Sequence, residues 1–200
     1  MTILPSAYLP SIEYFAHIAQ RECIIDLGEH YIKRSQRNRT RIMTASGAME
    51  LSVNVKNANR PRMKMQRVEI DYSKKWQHQH LLAVLSAYKS SPFYDHYAPY
   101  LEGIFTSNYE LLVDLNWAFI TQITKLIGLT PNVTLSQEYV ECTPEDCDLR
   151  PKRRDTSGFS HEQYIQVFYD REPYVANLSI LDLLFNEGPS TLSILINSKL

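Results

Sequence analysis

Between Met1 and Leu27 the apolar positions change rhythm twice. Ile3-Leu4-Pro5 is a short apolar run, and Ile12, Phe15, Ala16 and Ala19 then recur at the i, i+3, i+4, i+7 spacing of one helix face. Cys23-Ile24-Ile25-Asp26-Leu27 follows as a buried strand. Strand, helix and strand in such close succession form a βαβ-like unit, whose crossover is expected to be right-handed and whose strands are expected to be parallel. Ligands of open α/β sheets bind at the carboxyl ends of the strands. Here those ends are Tyr8 to Ser11 and Glu29 to Ser35, so the pattern predicts that two separate segments meet at one edge.

A period of two returns in Arg39 to Thr44 and in Met49 to Val55, which flank Ala45-Ser46-Gly47-Ala48 and predict a β-hairpin. Strand alternation would put Arg37, Arg39 and Arg41 in a row on one face, with Asn38, Thr40 and Ile42 on the other. Val68 to Asp71 reads as a further strand, after an exposed basic segment from Asn57 to Gln66. Trp76 to Tyr88 carries Leu81, Val84, Leu85 and Tyr88 on a helical stripe that ends at Ser91-Pro92, and Pro92 to Leu101 suits a short helix. Ser107-x-x-Glu110 has the form of a capping box, opening an amphipathic helix through Leu112, Leu115, Phe119, Ile123 and Leu126 to Gly128. Thr134 to Tyr139 reads as extended, Glu138 to Ser160 as a long polar loop and Tyr164 to Tyr169 as a strand; Ser179 to Asn186 and Thr191 to Asn197 read as helices. The expected fold is α/β, one domain over residues 1–200 with a small mixed sheet flanked by helices, and α+β is the alternative.

Composition narrows the class. The chain has 200 residues, 44% of them hydrophobic and 11% aromatic, enough for one sizeable core. No apolar run approaches the roughly 18 residues of a membrane helix, and no signal peptide opens the chain, so the expectation is a cytoplasmic protein that does not span a membrane. Three cysteines do not make a disulfide framework. Cys142 and Cys147 lack a second pair or a nearby histidine, so no metal is expected. No glycine-rich phosphate loop, nucleophile elbow or zinc-protease pattern occurs, and no cofactor is expected.

Charge changes the picture most. The net charge is −1, yet Lys33, Arg34, Arg37, Arg39 and Arg41 crowd into one short run, Arg60, Arg62, Lys64 and Arg67 into a second, and Arg150, Lys152, Arg153 and Arg154 into a third. Arginine's rigid fork of donors matches phosphate or carboxylate. The first run follows a strand end and is interleaved with Tyr31, Ser35 and Asn38, so it is read as an anion site; the other two lie in expected loops and are read as solvated faces. The expected partner is a phosphorylated or carboxylated small molecule, and a homo-oligomer is left open. Nucleic acid is not expected, because the balance is slightly acidic and no RNA-binding or helix-turn-helix pattern occurs. His78 and His80 lie about 200° apart on a helix and cannot ligate one ion together. His80 is the candidate catalytic imidazole, with a hydrogen-bonded core histidine as the alternative. Glu29 suits either a base or an ion-pair partner, and Asn116 sits polar within an apolar stripe.

Taken in order, Tyr8-Leu9-Pro10-Ser11-Ile12-Glu13-Tyr14-Phe15, Tyr31-Ile32-Lys33-Arg34-Ser35-x-Arg37-Asn38-Arg39, Leu51-Ser52-Val53, Ala87-Tyr88, Ser91-Pro92-Phe93-Tyr94, Asp114-Leu115-Asn116 and Leu178-Ser179-Ile180-Leu181-Asp182-Leu183-Leu184-Phe185-Asn186 resemble the WbqC-like family over almost the whole chain. The resemblance implies a role in surface-polysaccharide (O-antigen) biosynthesis, as a transferase of glycine or an aminoacyl group onto an activated sugar, or as a non-catalytic ligand-binding or assembly protein of that pathway. In the first case Lys33, Arg37 and Arg39 would hold the anion, such as the diphosphate of a nucleotide sugar. Tyr31 and Asn38 would orient it, Tyr8, Ser35, Tyr88 and Asn116 would line the site, and His80 or Glu29 would act as base. Longer members of the family have an extra strand and helix unit where this chain has the charged segment Glu138 to Ser160.

Overall fold

A computed structural model describes residues 1–151 and 158–200; the expectation for Lys152, Arg153 and Arg154 falls outside the described residues. Strand β1 (Thr2–Pro5), helix α1 (Ile12–Gln20) and strand β2 (Cys23–Asp26) form the expected unit, with β1 and β2 parallel from Thr2 opposite Cys23 to Pro5 opposite Asp26. Ser11 caps α1 by accepting the Tyr14 N–H at 3.4 Å. The hairpin follows as β3 (Arg39–Thr44) and β4 (Gly47–Ser52), antiparallel with Thr44 opposite Gly47. Gly47 stands at φ 89°, a left-handed conformation that costs little without a Cβ.

Helices α2 (Trp76–Tyr88), α3 (Tyr94–Thr106) and α4 (Leu112–Leu126) fill the middle of the chain. Strand β5 (Val133–Ser136) then adds in parallel to the free edge of β2, and the two residues of β6 (Cys147–Asp148) to that of β1. Helices α5 (Ile180–Glu187) and α6 (Thr191–Asn197) end the fold. The sheet order is β5-β2-β1-β6, all parallel, with the hairpin as a separate antiparallel pair. One continuous core includes Leu4, Tyr8, Phe15, Phe119 and Phe185, none with any exposed surface. Among the described residues no helix is long and apolar enough to cross a membrane.

Several elements differ from expectation for identifiable reasons. Helix α3 runs on past Leu101 to Thr106, through Pro99. The Ser107 hydroxyl caps the end of that helix, donating to the Gly103 carbonyl at 2.7 Å, instead of opening the next. Helix α4 starts four residues later than a capping box at Ser107 would place it, because backbone bonds Ile70 N to Glu110 O (3.0 Å) and Leu112 N to Val68 O (2.8 Å) hold its entry. Val68 to Asp71 therefore forms isolated bridges, to Val55 and Leu111, rather than a strand. Tyr164 to Tyr169 is no strand either: the Gln166 amide bonds both backbone groups of Val175, at 2.9 and 3.0 Å, in place of a ladder.

Candidate functional site

The carboxyl ends of β1 and β2 carry the two segments that the βαβ unit brings to one edge. Leu9 sits at φ 41°, although it is not glycine and precedes Pro10. Such a conformation costs on the order of 1–3 kcal/mol and persists where surroundings enforce it. Here the enforcing contacts are on its carbonyl, which accepts the Thr40 hydroxyl at 2.6 Å and the Ser179 hydroxyl at 3.0 Å. Leu9 thus ties the end of β1 to β3 and to the start of α5. Backbone bonds Tyr8 N to Gln36 O (2.9 Å), Ile12 N to Leu178 O (3.0 Å) and Ile180 N to Pro10 O (2.8 Å) complete the frame.

A cleft of about 260 Å³ opens on this frame, between Leu9 to Ser11, Arg34 to Gln36, Arg39 to Arg41 and Asn177 to Ser179, with Glu50 reaching in from β4. Most of its neutral polar groups are already used. Thr40 and Ser179 hold Leu9, the Ser35 hydroxyl donates to Ile32 O at 2.6 Å, and Asn177 holds the Glu13 N–H and carboxylate at 3.0 Å each. The first N–H groups of α1 are likewise taken, by Leu178 O, Asn177 Oδ1 and Ser11 Oγ. The cations are what remains. Arg34 and Arg41 are exposed and make no ion pair among the described residues. Arg39 pairs through Nη1 with Glu50, but its buried Nε has no partner. Arg34 also stands at φ 56°, which turns the chain sharply at the mouth of the cleft.

A second cavity, of about 310 Å³, lies on the other side of Arg34 and Arg39 and takes in Tyr31, Lys33 and Asn38. The predicted site residues therefore divide. Ser35 and Arg39 line the cleft; Tyr31, Lys33, Asn38 and again Arg39 line the second cavity. Tyr8, Glu29, Arg37, His80, Tyr88 and Asn116 line neither, and each has a partner in the interior.

Arg37 does not join Arg39 and Arg41 in a row. It precedes β3 and has no exposed surface, with Nε 2.9 Å from Glu29 Oε1, Nη2 on Glu29 Oε2 and 3.1 Å from the Arg150 carbonyl, and Nη1 3.3 Å from Ser35 Oγ. Burial pushes the Glu29 carboxyl above the ordinary carboxylate range, and Arg37 pulls it back. Asn116 Nδ2 donates at 3.0 Å to both Ser6 Oγ and the Arg37 carbonyl. His80 is 4% exposed, packed on Trp76 and Tyr8, with the Tyr8 hydroxyl 2.9 Å from Nδ1 and the Ser52 carbonyl facing the ring. Burial lowers its pKa to about 4, so the ring is neutral and accepts the Tyr8 proton. The Tyr88 hydroxyl accepts the Met43 N–H at 3.1 Å beside buried Asp182.

The reading of Arg150 as part of a solvated loop face is overturned. It is 5% exposed, gripping Asp148 through two bonds of 2.9 Å, with Nη1 2.5 Å from Asp26 Oδ2 and its guanidinium 4.6 Å from the Tyr139 ring centre. Asp26 Oδ1 in turn accepts the N–H groups of Gly28 (2.9 Å) and Glu29 (3.0 Å). This network sets the position of Glu29, and through it Arg37, behind the cleft. Of the lining residues not expected, Arg34 and Arg41 were visible in the basic run, whereas Glu50 comes opposite Arg41 only because the hairpin turns more tightly than the expected Ala45 to Ala48 connection, pairing Thr44 with Gly47. Asn177 and Ser179 had no local signal.

The chain is 26% identical over 217 aligned positions to an uncharacterized protein, Rv1507c, of Mycobacterium tuberculosis, with 94% of each chain covered. No solved structure matches it. A family model described as the WbqC-like protein family matches residues 6–150, which span both strand-end segments, the hairpin and the buried Arg37 pair. The chain belongs to the WbqC-like protein family.

Proposed function

We propose that the protein binds a phosphorylated or carboxylated sugar derivative in the cleft, and that it serves surface-polysaccharide biosynthesis in the cytoplasm as a transferase of a glycyl or other aminoacyl group. The observation that carries the binding reading is the gathering of Arg34, Arg39 and Arg41 on one cleft whose neutral polar groups are spent on its own walls. Forked cations facing an open space match a ligand with defined anionic oxygens. Transfer to a sugar hydroxyl or amine needs a base within hydrogen-bond reach of the acceptor. Glu50 is the carboxylate that lines the cleft, whereas Glu29 and His80 are buried behind it. Arg39 would then position both the anion and Glu50.

The second reading is a non-catalytic binding protein of the same pathway. It is favoured by the pairing of Glu50 with Arg39, and by a cleft lining with no cysteine, lysine or histidine among the described residues.

Native mass spectrometry and calorimetry with a panel of nucleotide sugars and sugar phosphates test the binding reading. At least one member is expected to bind, and Arg39→Ala with Arg41→Ala is expected to weaken it tenfold or more. Failure of every member to bind, or unchanged affinity in the double variant, overturns it. Turnover with an aminoacyl donor that is lost in Glu50→Gln, with binding kept, supports the transferase; binding without turnover supports the second reading.

A further inference from the structure

Arg34 and Arg39 are the two residues that line both cavities, so the cavities meet along these two arginines. The cavities are similar in size, about 260 and 310 Å³, but differ in chemistry. On the cleft side stand exposed Arg41, Glu50 paired with Arg39, and the Ser11 hydroxyl, whose oxygen caps α1, a set that suits a polyhydroxylated ring. On the other side stand half-buried Tyr31, the Asn54 amide, which has no side-chain hydrogen bond among the described residues, and Asp71. That second set suits a nucleoside: an aromatic face for a planar base, an amide for its edge and a carboxylate for ribose hydroxyls. Lys33, whose Nζ donates to Asn59 Oδ1 at 3.0 Å, and Lys74 add positive charge at this end.

A ligand filling both cavities must carry its charge in the middle, on the shared arginines, and an organic group at each end. Arg39 lines both cavities with its Nη1 on Glu50, and Arg34 is exposed in a left-handed conformation with no ion pair among the described residues. Two arginines at the meeting of two cavities match two linked phosphates better than one.

We propose that the two cavities are the halves of one site for a nucleoside diphosphate sugar, with the diphosphate on Arg34 and Arg39, the sugar between Ser11, Arg41 and Glu50, and the nucleoside against Tyr31 and Asn54. This rests on reading the cleft as an anion site, and names the ligand class that such a site takes. The nucleoside cavity anchors the ligand, and the sugar presents its reacting group to Glu50.

Calorimetry with uridine, thymidine and guanosine diphosphate sugars, the matching nucleoside mono- and diphosphates, and sugar 1-phosphates tests the assignment. One diphosphate sugar is expected to bind at least tenfold more tightly than its sugar 1-phosphate and its nucleoside monophosphate. Ala58→Trp, which fills the second cavity at an exposed turn, is expected to remove that advantage and leave sugar 1-phosphate binding unchanged. Arg34→Ala is expected to weaken the diphosphate sugar tenfold or more. Sugar 1-phosphate binding as well as the diphosphate sugar, or full affinity in Ala58→Trp, overturns the two-cavity site while the anion cleft stands. Absence of binding by every compound overturns both.

Discussion

The guanidinium of Arg37 lies against the carboxylate of Glu29, Nε to Oε1 at 2.9 Å, with no part of the arginine exposed. The most conspicuous basic run in the chain thus contributes one of its cations to the interior. The Arg37 carbonyl accepts the Asn116 amide and its guanidinium donates to the Ser35 hydroxyl, so the pair fastens the segment after β2 to α4 and leaves Arg34, Arg39 and Arg41 to face the cleft.

Removing one member of this pair strands the other. Arg37→Met is expected to lower stability by about 3–5 kcal/mol, the usual penalty for an uncompensated buried charge. The double variant Arg37→Met with Glu29→Leu should recover much of that loss. Urea denaturation measures both, and a single variant as stable as the parent contradicts a structural pair.

Arg150→Ala is expected to cost a similar amount, about 3 kcal/mol or more, because Asp26 and Asp148 lose their cation together. The change should be local first. Hydrogen exchange should rise in the β6 segment and around Val140, whose carbonyl accepts Arg150 Nη1 at 2.7 Å, before it rises in α2. Uniform exchange across the chain would refute this.

His80 makes stability pH-dependent. Its folded pKa is lowered to about 4 from the ordinary 6.5, so between those values the unfolded chain binds the proton and the native chain does not. Stability is therefore full above about 6.5 and falls as pH drops toward 4, by on the order of 3 kcal/mol from this group. His80→Gln can keep an acceptor for Tyr8 and a donor for Ser52 but does not titrate. The difference in stability between parent and variant should shift by that amount across the window, and parallel pH curves would sink the assignment.

Gly28 has no room for a side chain. A Cβ there would lie 2.3 Å from the backbone carbon of Glu138 and the nitrogen of Tyr139, so Gly28→Ala must displace one backbone segment from another. A loss of about 1–3 kcal/mol is expected in thermal or urea unfolding, with weaker ligand binding because Glu29 follows directly. An unaffected melting temperature would show that the two segments part easily.

Local elements were readable wherever one short stretch carried enough pattern. The βαβ unit, the hairpin and α2 all show in spacing alone, but not the hairpin register: the expected Ala45 to Ala48 connection sets Thr44 opposite Met49, whereas Thr44 pairs with Gly47 and so brings Glu50 opposite Arg41. β6 did not show, because two residues carry no period and its pairing with Thr2 and Ile3 comes from far along the chain. Arg150 went unread for the same reason: its partner Asp26 is 124 positions away.

From sequence alone come the periodicity, the gathering of cations after β2 and the family's pattern of residues, because these are properties of neighbours along the chain. Which cations face a ligand was decided only in three dimensions. Arg37 and Arg39 sit two positions apart in the same basic run, yet one is sealed against Glu29 and the other lines two cavities. Burial of a charge depends on which carboxylate the fold brings against it: the sequence offered Glu29 as a base or an ion-pair partner, and only the folded chain sets it against Arg37 rather than another cation of the run.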